Sequence, residues 1–195
     1  MKKLFDLFFS TLGIIVLLPL IILLAIIVAI ESKGGFIYIQ KRVGKNGIIF
    51  NLLKFRTMYI NSDKMGLLTV GNRDPRITKS GYYLRKYKLD ELLQLFNVLI
   101  GDMSFVGPRP EVEKYVDLYT LNQRKILNVK PGITDIASIA YRSENQILSI
   151  QKNPELFYIQ KIMPHKIRLN MVYLNNQNIC YDFKIVFLTI FNIFK

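Results

Sequence analysis

A chain of 195 residues with one cysteine, one histidine and a net charge of +13 is long enough for one real core and too short for two generous domains. The lone Cys180 excludes an internal disulfide and suits a reducing compartment. Together with the lone His165 it also argues against a zinc site, which usually takes several nitrogen or sulfur ligands. The charge excess is local. Thirteen Lys and Arg lie between Lys33 and Lys88, opposed only by Asp63 and Asp74, which points to an anionic partner: small-molecule phosphates, lipid headgroups or nucleic acid.

No charged residue occurs over 7–30, and 12–30 is almost wholly Leu, Ile, Val and Ala. Nineteen helical residues reach roughly 28 Å, about the hydrocarbon thickness of a bilayer. A cleaved signal peptide fits poorly. The stretch is too long for such a segment, and Glu31-Ser32-Lys33-Gly34-Gly35 reads as a turn rather than a cleavage box. Pro19 sits mid-segment and predicts a kink. Lys2 and Lys3 precede the segment and the basic block follows it, so the positive-inside tendency wants both flanks on the cytoplasmic side. A helix that enters, breaks and returns satisfies this. A kinked single span remains the alternative.

Residues 36–40 (FIYIQ) and 48–55 (IIFNLLKF) flank Gly44-Lys45-Asn46-Gly47 and predict a short β-hairpin. Residues 58–75 are irregular. Helical periodicity resumes near Ile77, turns at Lys88-Leu89, and continues over 90–99 to a stop at Gly101. Gly107-Pro108-Arg109-Pro110 predicts a rigid loop. Further helices are expected over 111–128, stopped by Pro131-Gly132, and over 154–175. Residues 182–194 (DFKIVFLTIFNIF) are too short to span, leaving a core helix or a helix lying on the membrane surface as alternatives. The expected class is α+β, mostly helical: a membrane anchor over 1–32 and a small domain over 33–195, with a hairpin and interfacial amphipathic helices.

Asp90 and Glu91 open an otherwise apolar helix. Acids at that position complement the helix dipole and need no other role. Two features favour one. Asp90, Gln94 and Asn97 fall on one helical stripe, and the basic block, with Arg85 five residues upstream, surrounds the pair with cations. Cations around an exposed carboxylate suit phosphoryl chemistry: Mg2+, Arg or Lys neutralises phosphates, and an Asp can attack phosphorus to give a covalent intermediate.

Residues 88–110 (KLDELLQLFNVLIGDMSFVGPRP) closely resemble the central motif of the bacterial sugar transferase family, the small monotopic phosphoglycosyl transferases. The similarity extends to 54–58 (KFRTM), 74–78 (DPRIT), 130–134 (KPGIT) and the N-terminal apolar segment with its proline. The resemblance implies a re-entrant anchor broken at Pro19, placed at the cytoplasmic face of the bacterial plasma membrane. It implies transfer of a phosphosugar from a UDP-sugar to polyprenol phosphate, with release of UMP, at the start of surface-glycan assembly. Asp90 would be the nucleophile and would hold Mg2+. Glu91 would assist, and Lys54, Arg56, Arg85, Arg109 and Arg142 would contact substrate. One departure is Asp135-Ile136-Ala137-Ser138, where many members read Gly-Trp-Ala-Gln, which leaves the sugar undefined. The chain resembles the minimal catalytic unit of larger relatives. Oligomeric state is left open, a homodimer among the options. A membrane-tethered basic module that binds anionic lipid or nucleic acid without catalysis is the competing class, although no nucleic-acid motif is visible. A one-step transfer using either acid as general base is the competing mechanism.

Overall fold

The computed structural model describes residues 2–62, 66, 68–71 and 74–193. Asp63, Lys64 and Arg73 of the basic block, and Phe194 of the last apolar segment, lie outside the described residues. The described residues are mostly helical, with two small two-stranded sheets among them.

Helix α1 (Lys2–Glu31) runs through Pro19 without interruption. The expected break is therefore absent as a gap in the helix, although Pro19 has no N–H to give the carbonyl of Ile15. One stripe of α1 packs on the rest of the chain: Asp6, Ser10, Gly13 against Leu95, then Ile21, Leu24 and Val28. The opposite stripe leaves Leu4, Phe8, Ile15, Val16, Ile22, Ile26 and Ile30 exposed. Only 17% of the apolar window is buried. A core helix of a water-soluble protein would be mostly covered, so α1 associates the protein with a membrane.

Both ends of α1 are tied to the same body. At the start, Lys2 Nζ donates to Val106 O (2.9 Å) and Tyr173 Oη (2.9 Å) and pairs with Asp182 (2.7 Å). Asp6 Oδ1 accepts from Ser104 Oγ (3.0 Å) and Phe105 N (3.1 Å). At the end, the Glu31 carboxylate accepts from the N–H groups of Lys79 and Ser80, both at 2.9 Å.

Strands β1 (Ile37–Val43) and β2 (Ile49–Phe55) form the expected hairpin, with Tyr38 opposite Lys54 and Arg42 opposite Phe50. Helix α2 (Lys79–Lys86) is capped by Thr78, whose side chain accepts from Gly81 N. Gly81 is required there, since a Cβ would sit 2.2 Å from Thr57 O. The helix expected from residue 90 begins later. Lys88 adopts left-handed backbone (φ 57°), Leu89–Glu91 form a 3-10 turn, and α3 (Gln94–Ile100) follows, closed by Gly101 at φ 95°. The dyad thus occupies a tight turn rather than a helix.

Strand β3 (Ser104–Val106) pairs in parallel with β4 (Gly132–Thr134). The crossing is too close for a side chain: a Cβ on Gly132 would lie 2.1 Å from Gly107 N. The Gly-Pro-Arg-Pro loop and the Lys-Pro-Gly-Ile-Thr segment are therefore two halves of one feature. The helix expected over 111–128 is instead α4 (Glu113–Val116) and a 3-10 turn, Gln123–Asn128. A reciprocal cap divides them: Thr120 N donates to Gln123 Oε1 and Gln123 N to Thr120 Oγ1.

Short helices α5 (Ile136–Ala140) and α6 (Glu144–Ser149) lead to α7 (Pro154–Phe157), a π-turn (Tyr158–Ile162) and α8 (Met163–Asn175). The last three realise the helix expected over 154–175. The π-turn ends two residues before Pro164, which cannot donate and would clash with the preceding turn. The largest apolar cluster joins Val43, Val112, Tyr115, Ile126, Tyr158 and Ile167. Helix α9 (Ile179–Ile193) buries Asp182 and Ile185 and exposes Phe183, Phe187, Ile190 and Phe191. It is both core helix and surface helix, one face each. Phe183 stacks edge-on with Phe5 of α1 at 5.1 Å, so the apolar faces of the two helices are continuous.

Candidate active site

The left-handed Lys88 and the 3-10 turn aim two adjacent carboxylates in different directions. Glu91 gives both oxygens to the Arg109 guanidinium, with Nη1 at 3.0 Å from Oε2 and Nη2 on Oε1, and one also to Lys54 Nζ at 3.4 Å. Burial alone would push the Glu91 carboxyl up, but Arg109 and Lys54 hold it well below the usual carboxylate range. The same pair raises the Arg109 guanidinium. Asp90 differs. It is as buried as Glu91, yet its Oδ1 has no hydrogen-bond partner. Burial, and then the Glu91 charge beside it, push its carboxyl above the usual range against the pull of Lys54, Lys88 and Arg85.

Asp90 lines a cavity of about 160 Å³ between the hairpin, the 57–71 segment and α2. Lys54, Arg56 and Arg85 also line it, so the structure brings these three expected cations together with Asp90. Their occupations differ. Lys54 is pushed down to about 8 by burial, with Glu91 resisting. Arg85 Nη2 donates to Thr69 Oγ1 at 2.8 Å. Arg56 donates to the carbonyls of Gly34, Gly35 and Ile37 and so also fixes the entry to β1. Arg109 lies on the other side of Glu91, in a second, narrow cleft with Pro108, Pro110 and Glu111. Arg142 is exposed just after α5 and lines neither cleft.

Two more cavity cations, Arg42 and Arg76, were not singled out from sequence. Arg42 donates to Gln40 Oε1 (2.8 and 3.1 Å) and to Pro110 O, and pairs with Glu111. Arg76 pairs with Asp74 and donates to the carbonyls of Gly66 and Leu68. Strand alternation was the available signal for Arg42. Tyr38, Gln40 and Arg42 share one face of β1, and all three line the cavity. The polar stripe on α3 divides by role. Asn97 accepts from Leu53 N (3.0 Å) and donates to Asn51 O (2.8 Å), so it binds the edge of β2 rather than a ligand. Gln94 is fully buried and its Nε2 has no partner.

No group of three or more His, Cys, Asp or Glu that could hold a metal occurs among the described residues. An ion there would have one hard oxygen ligand from Asp90, whose Oδ1 is buried and unpartnered, and would take the rest of its shell from phosphates and water.

The sequence profile of the family described as bacterial sugar transferase matches residues 1–195. The chain belongs to the bacterial sugar transferase family. By family it is an enzyme that transfers sugar groups. It is 37% identical over 194 residues to a UDP-glucose:undecaprenyl-phosphate glucose-1-phosphate transferase of Klebsiella pneumoniae, covering 97% of this chain and 39% of the relative. It is 34% identical over 199 residues to the Escherichia coli (strain K12) protein of the same description, covering 98% of this chain and 39% of the relative. It is 37% identical over 158 residues to the exopolysaccharide production protein ExoY of Sinorhizobium fredii (strain NBRC 101917 / NGR234), covering 73% of this chain and 70% of the relative. The chain thus spans about two fifths of the length of the first two.

Proposed function

We propose that this transferase moves a phosphosugar from a UDP-sugar to polyprenol phosphate through a covalent adduct on Asp90, as the first step of bacterial surface-glycan assembly. The observation that carries the reading is the contrast within the dyad. Asp90 lines a cavity rich in cations and keeps one buried oxygen without a partner, while both oxygens of Glu91 are held by Arg109 and Lys54. In the first half-reaction an Asp90 oxygen bonds to the sugar-bearing phosphorus, the phosphoanhydride bond breaks, and UMP leaves with the bonding pair. In the second, an oxygen of the lipid phosphate bonds to the same phosphorus and the Asp90 carboxylate is released.

Lys54, Arg56 and Arg85 supply positive charge where the diphosphate would lie, stabilising the charge that builds on the phosphoryl oxygens. Glu91 keeps Lys54 and Arg109 in place. Its depressed pKa makes it a poor base, which weighs against a one-step route through Glu91. Mg2+ held by Asp90 would further neutralise the diphosphate.

The protein works at the cytoplasmic face of the plasma membrane, with α1 re-entrant rather than spanning, turning back by a bend at Pro19 that leaves no gap in the helix. Support comes from the ties of Lys2 and Asp6 at one end of α1 and Glu31 at the other to a single body. A straight crossing helix would carry its first residues to the far side, away from β3 and α9.

The test is UMP release across a panel of UDP-sugars with undecaprenyl phosphate in detergent or nanodiscs. Release with at least one sugar, lost in Asp90→Asn, is expected. Release that Asp90→Asn leaves intact contradicts the reading.

A further inference from the structure

The proposed reaction brings two anions to Asp90 in turn, one soluble and one carried by lipid. The cavity cations serve one approach. Lys88 lies outside the residues that line that cavity, yet its charge acts on both Asp90 and Glu91. It directly precedes the dyad turn, and its carbonyl accepts from Glu91 N at 3.3 Å. Its side chain is exposed and makes no hydrogen bond or ion pair with any described residue.

The backbone adds a second observation. Lys88 has φ 57° and ψ 20°, a left-handed conformation that is unfavourable for a side-chain-bearing residue and that glycine adopts freely. A lysine held there, two residues from Asp90, keeps a cation beside the dyad at the expense of local strain.

The third observation is what adjoins it. Helix α2 exposes Tyr82 and Tyr83, the residue after it, Tyr87, is exposed too, and Lys86 Nζ lies 5.3 Å from the Tyr87 ring centroid. Glu31, the last residue of α1, caps the start of α2, directly after the exposed Ile30. The tyrosine and lysine face therefore begins where the apolar membrane surface ends, the level at which such side chains gather.

Resting on the transferase reading above, we propose that Lys88 is the acceptor-side cation. It receives the phosphate monoester of the lipid-linked acceptor at the membrane boundary and holds it beside Asp90. Lys54, Arg56 and Arg85 are left to the nucleotide sugar. Lys88 then acts in the second half-reaction, in which the acceptor oxygen bonds to phosphorus and the phosphorus–carboxylate bond breaks, returning its electron pair to Asp90.

The test uses the full chain in phosphatidylcholine nanodiscs, comparing wild type with Lys88→Ala, Lys88→Gly and Lys88→Arg. Single-turnover UMP release without acceptor reads the first half-reaction, and steady-state turnover reads the KM for undecaprenyl phosphate. Lys88→Ala and Lys88→Gly are expected to raise that KM about tenfold, a loss of about 1.4 kcal/mol. The first half-reaction and the KM for the UDP-sugar should stay unchanged, and Lys88→Arg should stay near wild type. Wild-type behaviour of Lys88→Gly would show that only the backbone conformation matters and would overturn the proposal. So would an equal slowing of both half-reactions, or an effect seen only when anionic phospholipid is added, which would mark a headgroup contact. A wild-type protein that releases no UMP refutes the transferase reading itself. A working wild type with unaltered acceptor KM in Lys88→Ala refutes this inference alone.

Discussion

Glu91 engages both Arg109 and Lys54, so its carboxylate is fixed and ionised, while Asp90 next to it keeps an oxygen without a partner. Arg109→Ala should leave Glu91 with Lys54 alone, destabilise the protein by about 3 kcal/mol, and lower turnover by at least tenfold, read by thermal unfolding and UMP release. The linkage has a definite sign. The Glu91 pKa is lower folded than unfolded, so the ion pair contributes its full stability above the ordinary value of 4.5 and loses it as pH falls through the lowered value. Lys54 sets the other limit. It is charged below about 8 and loses its proton as pH rises through that value, so kcat/KM for the UDP-sugar should fall above about pH 8. In Lys54→Arg that alkaline limb should move up beyond the measurable range. A limb unmoved by Lys54→Arg would assign it to another group. From sequence, the dyad and its basic surroundings were legible. The division of labour was not, because it depends on Arg109 arriving from 18 residues away to occupy Glu91 and not Asp90.

At the scale of elements, the hairpin, α2 and the long 154–175 helix follow from period and punctuation, since each carries its own turn residues or cap. Two helices were misjudged for local reasons. The 90–99 pattern is apolar enough for a helix throughout, but the left-handed Lys88 converts its start into a 3-10 turn. Thr120 and Gln123 form a capping box that starts a new element inside an apparently continuous run, a signal readable in the sequence. Asn97 lies at the other extreme. It looks like a ligand residue on a helical wheel and instead ties α3 to β2, through partners more than 40 residues away. Asn97→Leu should therefore destabilise the domain by about 2 kcal/mol, leaving Leu53 N and Asn51 O unpaired. Its KM for the UDP-sugar should stay near wild type in whatever fraction is folded. A selective rise in KM without loss of stability would return Asn97 to the binding site.

Across the whole molecule, α1 and α9 join their exposed apolar faces through the Phe5–Phe183 contact, while the polar side of α1 docks through Lys2, Asp6 and Glu31. On the proposed reading this holds the Asp90–Glu91 turn next to the membrane, where a soluble donor and a lipid acceptor would both reach it. Single cysteines placed at Lys3 and Lys33, in a Cys180→Ser background, should react with an impermeant maleimide from the same side of the membrane. Reaction from opposite sides would replace the re-entrant arrangement with a crossing one. The membrane segment itself was legible from its length and lack of charge, but its path was not, because Pro19 and flanking lysines permit both.

The most direct measurement of the central claim is intact-protein mass spectrometry after incubation with the UDP-sugar, Mg2+ and no acceptor. The account predicts a mass increase of one phosphosugar, mapped by peptide fragmentation to Asp90, absent in Asp90→Asn and discharged when undecaprenyl phosphate is added. A protein that turns over with both substrates yet stays unmodified without the acceptor, or carries the adduct on another residue, would contradict it.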